Sequence, residues 1–345
     1  MHPLSPHLDA VLVIGPNWIG DAVMSTPALA NLRRGLPKAK IDLLVPRHVA
    51  PLFEDHPHID RVLSRNDRQP WRTRLAQVLA LRRCSYRAVL LLPNSFRAAL
   101  YAWLVGSPIR IGYATDGRRW LLSHPVAVGD AQPCHQIDAY LQLVAALGLP
   151  VVERLPMLAP TLRAEMQAEQ LWDIQGWGHE DLVIGICPGA AFGPAKRWWP
   201  ERFAALADRL IASGGFRVAF FGSPEEIPLV EHIRSQMTHE AVSLAGQDTL
   251  GSFMALAARC AVMITNDSGS MHIANAVGTR VVALFGPTDP CRTAPMATPA
   301  TVLHRDLACS PCFRTTCPYS DHPCMRLIEV DDVYRAVLDI LRLGR

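Results

Sequence analysis

The chain has 345 residues, half of them hydrophobic and 19% charged, with 28 Pro and 22 Gly, which excludes a disordered, collagen-like or coiled-coil polypeptide. At roughly 150 residues per domain, this length predicts two domains. The 34 Lys and Arg against 31 Asp and Glu leave a formal charge of only +3, too little for the chain as a whole to bind nucleic acid, so an acidic partner has to be met by a local basic patch.

No apolar run approaches the roughly 20 residues of a membrane span. The start has no Lys or Arg before a short apolar stretch, which runs into a turn and not a cleavage site; it reads as the first strand of a cytosolic protein. The nine cysteines include Cys84, Cys134, Cys187, Cys260 and Cys291, scattered without the framework of a disulfide-stapled secreted fold. Residues 10–15 form a β-branched run ending in Gly, followed by a turn and a helical pattern over 21–36. Strand signals recur at 41–45, 61–63 and 88–92, with a helical stretch at 73–83, as expected of βα units on a parallel sheet. A helix at 136–147 precedes the Pro-punctuated stretch 150–160, which has the composition of an interdomain linker.

The rhythm restarts with a helix at 161–175, a strand at 182–187, a Pro-opened helix at 200–213 and a strand at 217–222. It continues through 229–237, 241–245, 250–258, 261–266, 269–277 and 281–286, and an amphipathic helix over 330–343 closes the chain, with Asp331 and Asp332 near its N-terminus. The predicted fold class is α/β. Residues 1–155 and 156–329 form two Rossmann-like domains, and 330–345 a C-terminal helical segment.

Three loops hold residues suited to chemistry. The first, from Gly15 to Asp21, joins a strand to a helix and so lies at the sheet edge where open α/β folds hold ligands. It lacks the GxGxxG fingerprint, and Pro16 offers no amide, which disfavours nicotinamide chemistry. Asp21 reads either as a helix cap or as a carboxylate able to take a proton from a hydroxyl. The second loop, 188–198, ends in Lys196 and Arg197, which read either as solvated charges or as cations for a phosphate. In the third, Asp267, Ser268, Gly269, Ser270 and His272 open a helix whose free amides suit a diphosphate. With Gly286–Asp289 after the next strand, this edge reads as a nucleotide site.

The segments 14–21 (IGPNWIGD), 92–97 (LPNSFR), 187–190 (CPGA) with 196–198 (KRW), 266–272 (NDSGSMH) and 285–288 (FGPT) resemble, in order and over nearly the whole chain, the lipopolysaccharide heptosyltransferases of glycosyltransferase family 9. Segment 92–97 and the Cys-rich tail resemble the type II enzymes in particular. The resemblance implies a GT-B fold, two Rossmann-like domains facing across a cleft, and inverting, cofactor-free and metal-independent transfer of L-glycero-D-manno-heptose from ADP-heptose to the first heptose of the lipopolysaccharide inner core. It implies that Asp21 is the catalytic base. Lys196 and the amides around Ser268, Gly269 and Ser270 would hold the ADP diphosphate, Glu226 the ribose, and Asp267 and His272 would line the donor site. Ala190 and Ala191 stand where the type I enzymes carry hydroxyl residues, so a phosphate contact there would come from backbone.

An anionic inner-core acceptor calls for cations in the first domain, with Arg97, Arg110, Arg118 and Arg119 as candidates. Together with Trp103 and Trp120 they predict a surface resting peripherally on the cytoplasmic face of the inner membrane. The tail places Cys309, Cys312, Cys317 and Cys324 within sixteen residues, a cluster able to bind zinc although its spacing is irregular for a zinc ribbon. Two rival readings are a nucleotide-sugar epimerase of similar twin-Rossmann shape, and a non-catalytic scaffold that uses the tail to hold a partner.

Overall fold

The structure, a computed structural model, describes residues 8–66, 69–128, 135–178, 180–297 and 299–342. The extreme N-terminus read as preceding the first strand, and Leu343 at the end of the expected last helix, lie outside the described residues. The chain divides between Pro156 and Met157 into two units.

In the first unit the elements run β1 (Ala10–Ile14), α1 (Ile19–Met24), α2 (Thr26–Gly35), β2 (Lys40–Pro46), β3 (Arg61–Arg65), α3 (Trp71–Arg82), β4 (Ala88–Leu91), α4 (Phe96–Val105), β5 (Ile109–Tyr113), β6 (His124–Val126) and α5 (Gln136–Ala145). The strands form one parallel sheet in the order β3-β2-β1-β4-β5-β6. The central strands are buried along nearly their whole length, as a sheet covered by helices on both faces requires. Ile14 lies opposite both Leu44 and Leu91, so the loops after β1, β2 and β4 leave the sheet at one edge.

The helix expected over 21–36 is two helices, broken at Ser25. Pro27 stands in the first turn of α2, where its missing N–H costs nothing, and its ring bars the preceding residues from continuing α1. Asn31 of α2 fastens the start of the linker: its Oδ1 accepts the N–H groups of Val152 (2.7 Å) and Glu153 (3.0 Å), and its Nδ2 donates to Glu153 O (2.7 Å).

The second unit runs α6 (Leu162–Ile174), β7 (Val183–Cys187), α7 (Pro200–Ala212), β8 (Arg217–Phe220), α8 (Ile227–Arg234), β9 (Val242–Ser243), α9 (Leu250–Arg259), β10 (Val262–Asn266), α10 (Gly269–Ala276), β11 (Arg280–Leu284), α11 (Pro290–Thr293), β12 (Ala300–Leu303), α12 (Pro323–Arg326) and α13 (Val330–Arg342). Its parallel sheet has the order β12-β11-β10-β7-β8-β9. Counted from each unit's own first strand, both sheets are 3-2-1-4-5-6, the doubly wound order whose ligand crevice opens where the strand order reverses. That point lies between β1 and β4 in the first unit and between β7 and β10 in the second. Helix α13 buries Val333, Ala336, Val337 and Ile340 in the same core as Phe203, Leu206 and Leu210 of α7, so the last helix is part of the second unit's body. Among the described residues no helix is long and apolar enough to cross a membrane.

Candidate functional site

At the carboxyl edge of the second sheet, adjacent β7 and β10 end in loops that are tied together by side chains. Asn266, the last residue of β10, donates from Nδ2 to Pro188 O (2.7 Å) and accepts the Trp198 N–H at Oδ1 (3.0 Å). It thereby fixes both ends of the 188–198 loop and delivers Lys196 to the next residue of β10's exit: Lys196 Nζ lies 2.5 Å from Asp267 Oδ2. The same oxygen accepts the Thr288 hydroxyl at 2.6 Å. Both members of the pair are largely out of water, and the ammonium also sits 4.9 Å from the centre of the Phe192 ring, a favourable place for a cation. An ammonium has three donors, so the contact with Asp267 leaves others for an incoming anion.

Ser268 is the N-cap residue of α10, and its hydroxyl meets that of Ser270 at 2.7 Å. The amides of Gly269 and Ser270 lie in the first turn, where an α-helix leaves its N–H groups without intrahelical acceptors. His272 is buried one turn further on. Glu226 comes from the turn after β8, where its Oε2 accepts the Ser223 N–H at 2.9 Å. Its carboxylate lies against Gly189: a Cβ there would fall 1.7 Å from Oε1, so only glycine leaves the carboxylate its place. Asp267, Lys196, Ser268, Ser270 and Glu226 thus lie around one sheet edge. Asn266 and Thr288, which hold that edge in shape, fall within segments 266–272 and 285–288, but sequence reasoning gave neither a role of its own; the polar terminus of an apolar strand was the signal for Asn266.

In the first unit Asp21 occupies the third position of α1, whose N-cap is Trp18. Asp21 is therefore not the N-cap residue, and as a carboxylate in the first turn it meets the positive end of the helix. Asp21 lies near Tyr140, where burial first, and then the Asp21 charge, push the phenol well above its ordinary pKa.

The four candidate arginines have different positions. Arg118 is fully buried and spends its guanidinium on the Tyr113 (2.9 Å), Pro93 (2.5 Å) and Ser95 (3.2 Å) carbonyls and Asn94 Oδ1 (3.0 Å). This corrects its reading as an acceptor-facing cation: it holds the loop after β4. Arg110 likewise donates to the Ser107 (2.5 Å) and Leu121 (2.8 Å) carbonyls. Arg119 is exposed on a short turn. Arg97 lines a cavity of about 370 Å³ with Arg65, Arg74, Trp71, Tyr101 and Leu104. Arg65 and Arg74 went unremarked because they belong to a strand end and a helix remote in sequence from 92–97.

Cys309, Cys312, Cys317 and Cys324 line a second cavity of about 370 Å³ together with His322 and Arg314. Burial first, then the nearby Cys317 thiol, push Cys324 up to about 11, and Cys309 and Cys312 add to the effect. Among the described residues no three His, Cys, Asp or Glu side chains are set to hold a metal ion. The tail instead braces the loops described above. The Cys312 and Phe313 N–H groups donate to Pro287 O (2.9 and 2.8 Å), Ala195 N–H to Thr315 O (3.0 Å), and Ser310 Oγ to Gly286 O (2.6 Å).

Residues 72–322 match the model of glycosyltransferase family 9 (heptosyltransferase). The lipooligosaccharide heptosyltransferase 2 of Haemophilus influenzae is 34% identical, over 85% of this chain and 88% of its own. Among solved structures, a family 9 glycosyltransferase from Veillonella parvula superposes with a TM-score of 0.86 at 25% identity, covering 99% of both chains. The ADP-heptose lipopolysaccharide heptosyltransferase II of E. coli superposes with a TM-score of 0.82 at 29% identity, covering 97% of this chain and 99% of its own. Two Rossmann-like units in one chain are the GT-B architecture.

Proposed function

Since the chain belongs to glycosyltransferase family 9, the heptosyltransferases, we propose that it transfers L-glycero-D-manno-heptose from ADP-heptose to the first heptose of the lipopolysaccharide inner core. The reaction inverts the anomeric centre and takes place at the cytoplasmic face of the inner membrane, where the protein is bound peripherally. The observation that carries this reading is the Lys196–Asp267–Thr288 cluster beside the open first turn of α10, at the sheet edge where doubly wound folds hold phosphate. That the H. influenzae relative is a lipooligosaccharide heptosyltransferase and the E. coli one an ADP-heptose heptosyltransferase supports heptose as the sugar and ADP as the nucleotide.

In the proposed reaction the acceptor hydroxyl oxygen forms a bond to the anomeric carbon as the bond from that carbon to the ADP oxygen breaks. The hydroxyl proton goes to the Asp21 carboxylate, and the electron pair of the breaking bond leaves on the β-phosphate. Lys196 and the amides of Ser268, Gly269 and Ser270 oppose the charge that grows there, which is where electrostatic stabilisation counts most. Glu226 accepts from the ribose hydroxyls, and Asp267 and His272 line the donor's other side. Arg97 with Arg65 and Arg74 faces the anionic acceptor. The test is Asp21→Ala: ADP-heptose affinity is retained and turnover falls by at least the factor of about 10²–10⁴ assigned to a general base. Persistent turnover would remove Asp21 from this role.

A further inference from the structure

Helix α3 is nearly all surface. It gives only Val78 and Leu81 to the core, while Trp71, Leu75 and Leu79 are 63%, 42% and 48% exposed. These three recur every fourth residue and so share one side of the helix. On neighbouring α4, Phe96 and Trp103 are seven residues apart and 37% and 50% exposed. The two helices meet at their C-terminal ends, where the Arg82 side chain comes within 3.5 Å of the Cβ position of Gly106, the left-handed cap of α4. Large apolar side chains gathered on adjacent helices form a patch of the kind that marks an interaction surface.

Its charge identifies the partner. Residues 68–115 contain eight arginines and no Asp or Glu, whereas the remainder of the chain is net acidic. Arg72 and Arg82 are exposed on α3 itself, and Arg83 is exposed at its C-cap. The first acid beyond the stretch, Asp116, accepts the Phe96 N–H at 2.7 Å. Aromatic and aliphatic side chains flanked by arginine match a bilayer interface, with rings and Leu side chains among the acyl ends and guanidinium groups at the phosphates.

We infer that the outer faces of α3 and α4 dock this protein on a lipid leaflet bearing anionic headgroups, with Trp71, Leu75, Leu79 and Trp103 entering the interface. The cavity lined by Arg65, Arg74 and Arg97 is bounded by the same two helices. A sugar-phosphate headgroup anchored in that leaflet would therefore approach it from the docked side. This deepens the proposed action on a lipid-anchored acceptor and rests on that reading only for the identity of the headgroup.

The test is flotation of the full chain with vesicles of phosphatidylcholine alone or mixed with phosphatidylglycerol. The wild type binds the mixed vesicles, and binding weakens with salt. Two variants avoid the cavity lining: Leu79→Ser with Trp103→Ser, and Arg72→Gln with Arg82→Gln and Arg83→Gln. At about fivefold per arginine near an anionic surface, the triple variant loses about a hundredfold or more in partitioning. Both variants keep the wild-type rate on a soluble, deacylated acceptor, which shows that they are folded. Wild-type flotation of the two variants, equal affinity for the two lipid mixtures, or retention on single-stranded DNA but not on vesicles would each overturn the assignment. Vesicle binding lost in the variants, with no heptose transfer by any form, would leave the surface standing and remove the functional reading instead.

Discussion

Lys196 Nζ lies 2.5 Å from Asp267 Oδ2, and the two residues come from the loops after β7 and β10, the strands between which the sheet order reverses. An ion pair this far from water is costly to break by halves, because the remaining charge keeps its desolvation penalty; such losses run to about 3–5 kcal/mol. Lys196→Met is therefore expected to destabilise the second unit and to weaken ADP binding. The double variant Lys196→Met, Asp267→Asn removes both charges, so it should recover much of the stability without recovering the affinity. A lost charge-assisted hydrogen bond corresponds to about ten- to a hundredfold in ADP affinity. Thermal unfolding and calorimetric titration with ADP read the two effects separately; wild-type ADP affinity in the double variant would remove Lys196 from the diphosphate site.

Gly189 offers a test that spares the core. A methyl group there would sit 1.7 Å from Glu226 Oε1, and that carboxylate is the end of a flexible side chain able to swing away. Gly189→Ala should leave the melting temperature nearly unchanged and raise the KM for ADP-heptose, while Gly215→Ala, where a Cβ meets nothing within 4 Å, should change neither. An unaltered KM in Gly189→Ala would show that the Glu226 position does not matter to the donor.

Asp248, at the foot of α9, is held by burial at a pKa of about 7, up from 3.8. The folded state then binds a proton more tightly than the unfolded one, so this group's contribution to stability falls as the pH rises from about 4 to about 7 and is constant above. The slope is at most about 1.4 kcal/mol per pH unit. Denaturant midpoints of the wild type and Asp248→Asn should accordingly be closest at low pH and diverge in favour of the variant toward neutrality. Parallel pH profiles would mean that Asp248 titrates normally.

The arginines after β4 separate by role. Arg118→Met leaves three carbonyls short of a donor in a buried loop, and should cost about 3 kcal/mol or more of stability. Arg97→Ala should stay within about 1 kcal/mol of the wild type and raise the acceptor KM, with donor KM unchanged. The reverse pattern, a fragile Arg97→Ala and a kinetically altered but stable Arg118→Met, would contradict this division.

How far these roles can be read from sequence depends on the distance over which each residue acts. The strands at 10–14, 88–91 and 183–187 are legible because a parallel sheet buried on both faces leaves near-continuous apolar runs. Strands such as Ile109–Tyr113 and His124–Val126 are short and interrupted by Arg, Gly or Pro, and only their place in the sheet makes them strands. The break at Ser25 was signalled by Pro27, but the apolar periodicity of Met24, Leu29 and Leu32 runs across it. Lys196 and Asp267 were legible as separate polar residues at strand exits, yet their pairing spans 71 residues of sequence. Arg118 misleads for the same reason: a guanidinium saturated by carbonyls from residues 93 to 113 reads in sequence like any loop arginine.

The measurement that bears most directly on the whole account is ADP release from ADP-heptose, with and without heptosyl-Kdo2-lipid A, with the mass of the lipid followed in the same reaction and Asp21→Ala run alongside. The account predicts ADP release that depends on the lipid, a gain of one heptose in its mass, and neither with the variant. Consumption of ADP-heptose without acceptor, or an unchanged lipid mass in the presence of bound donor, would contradict it.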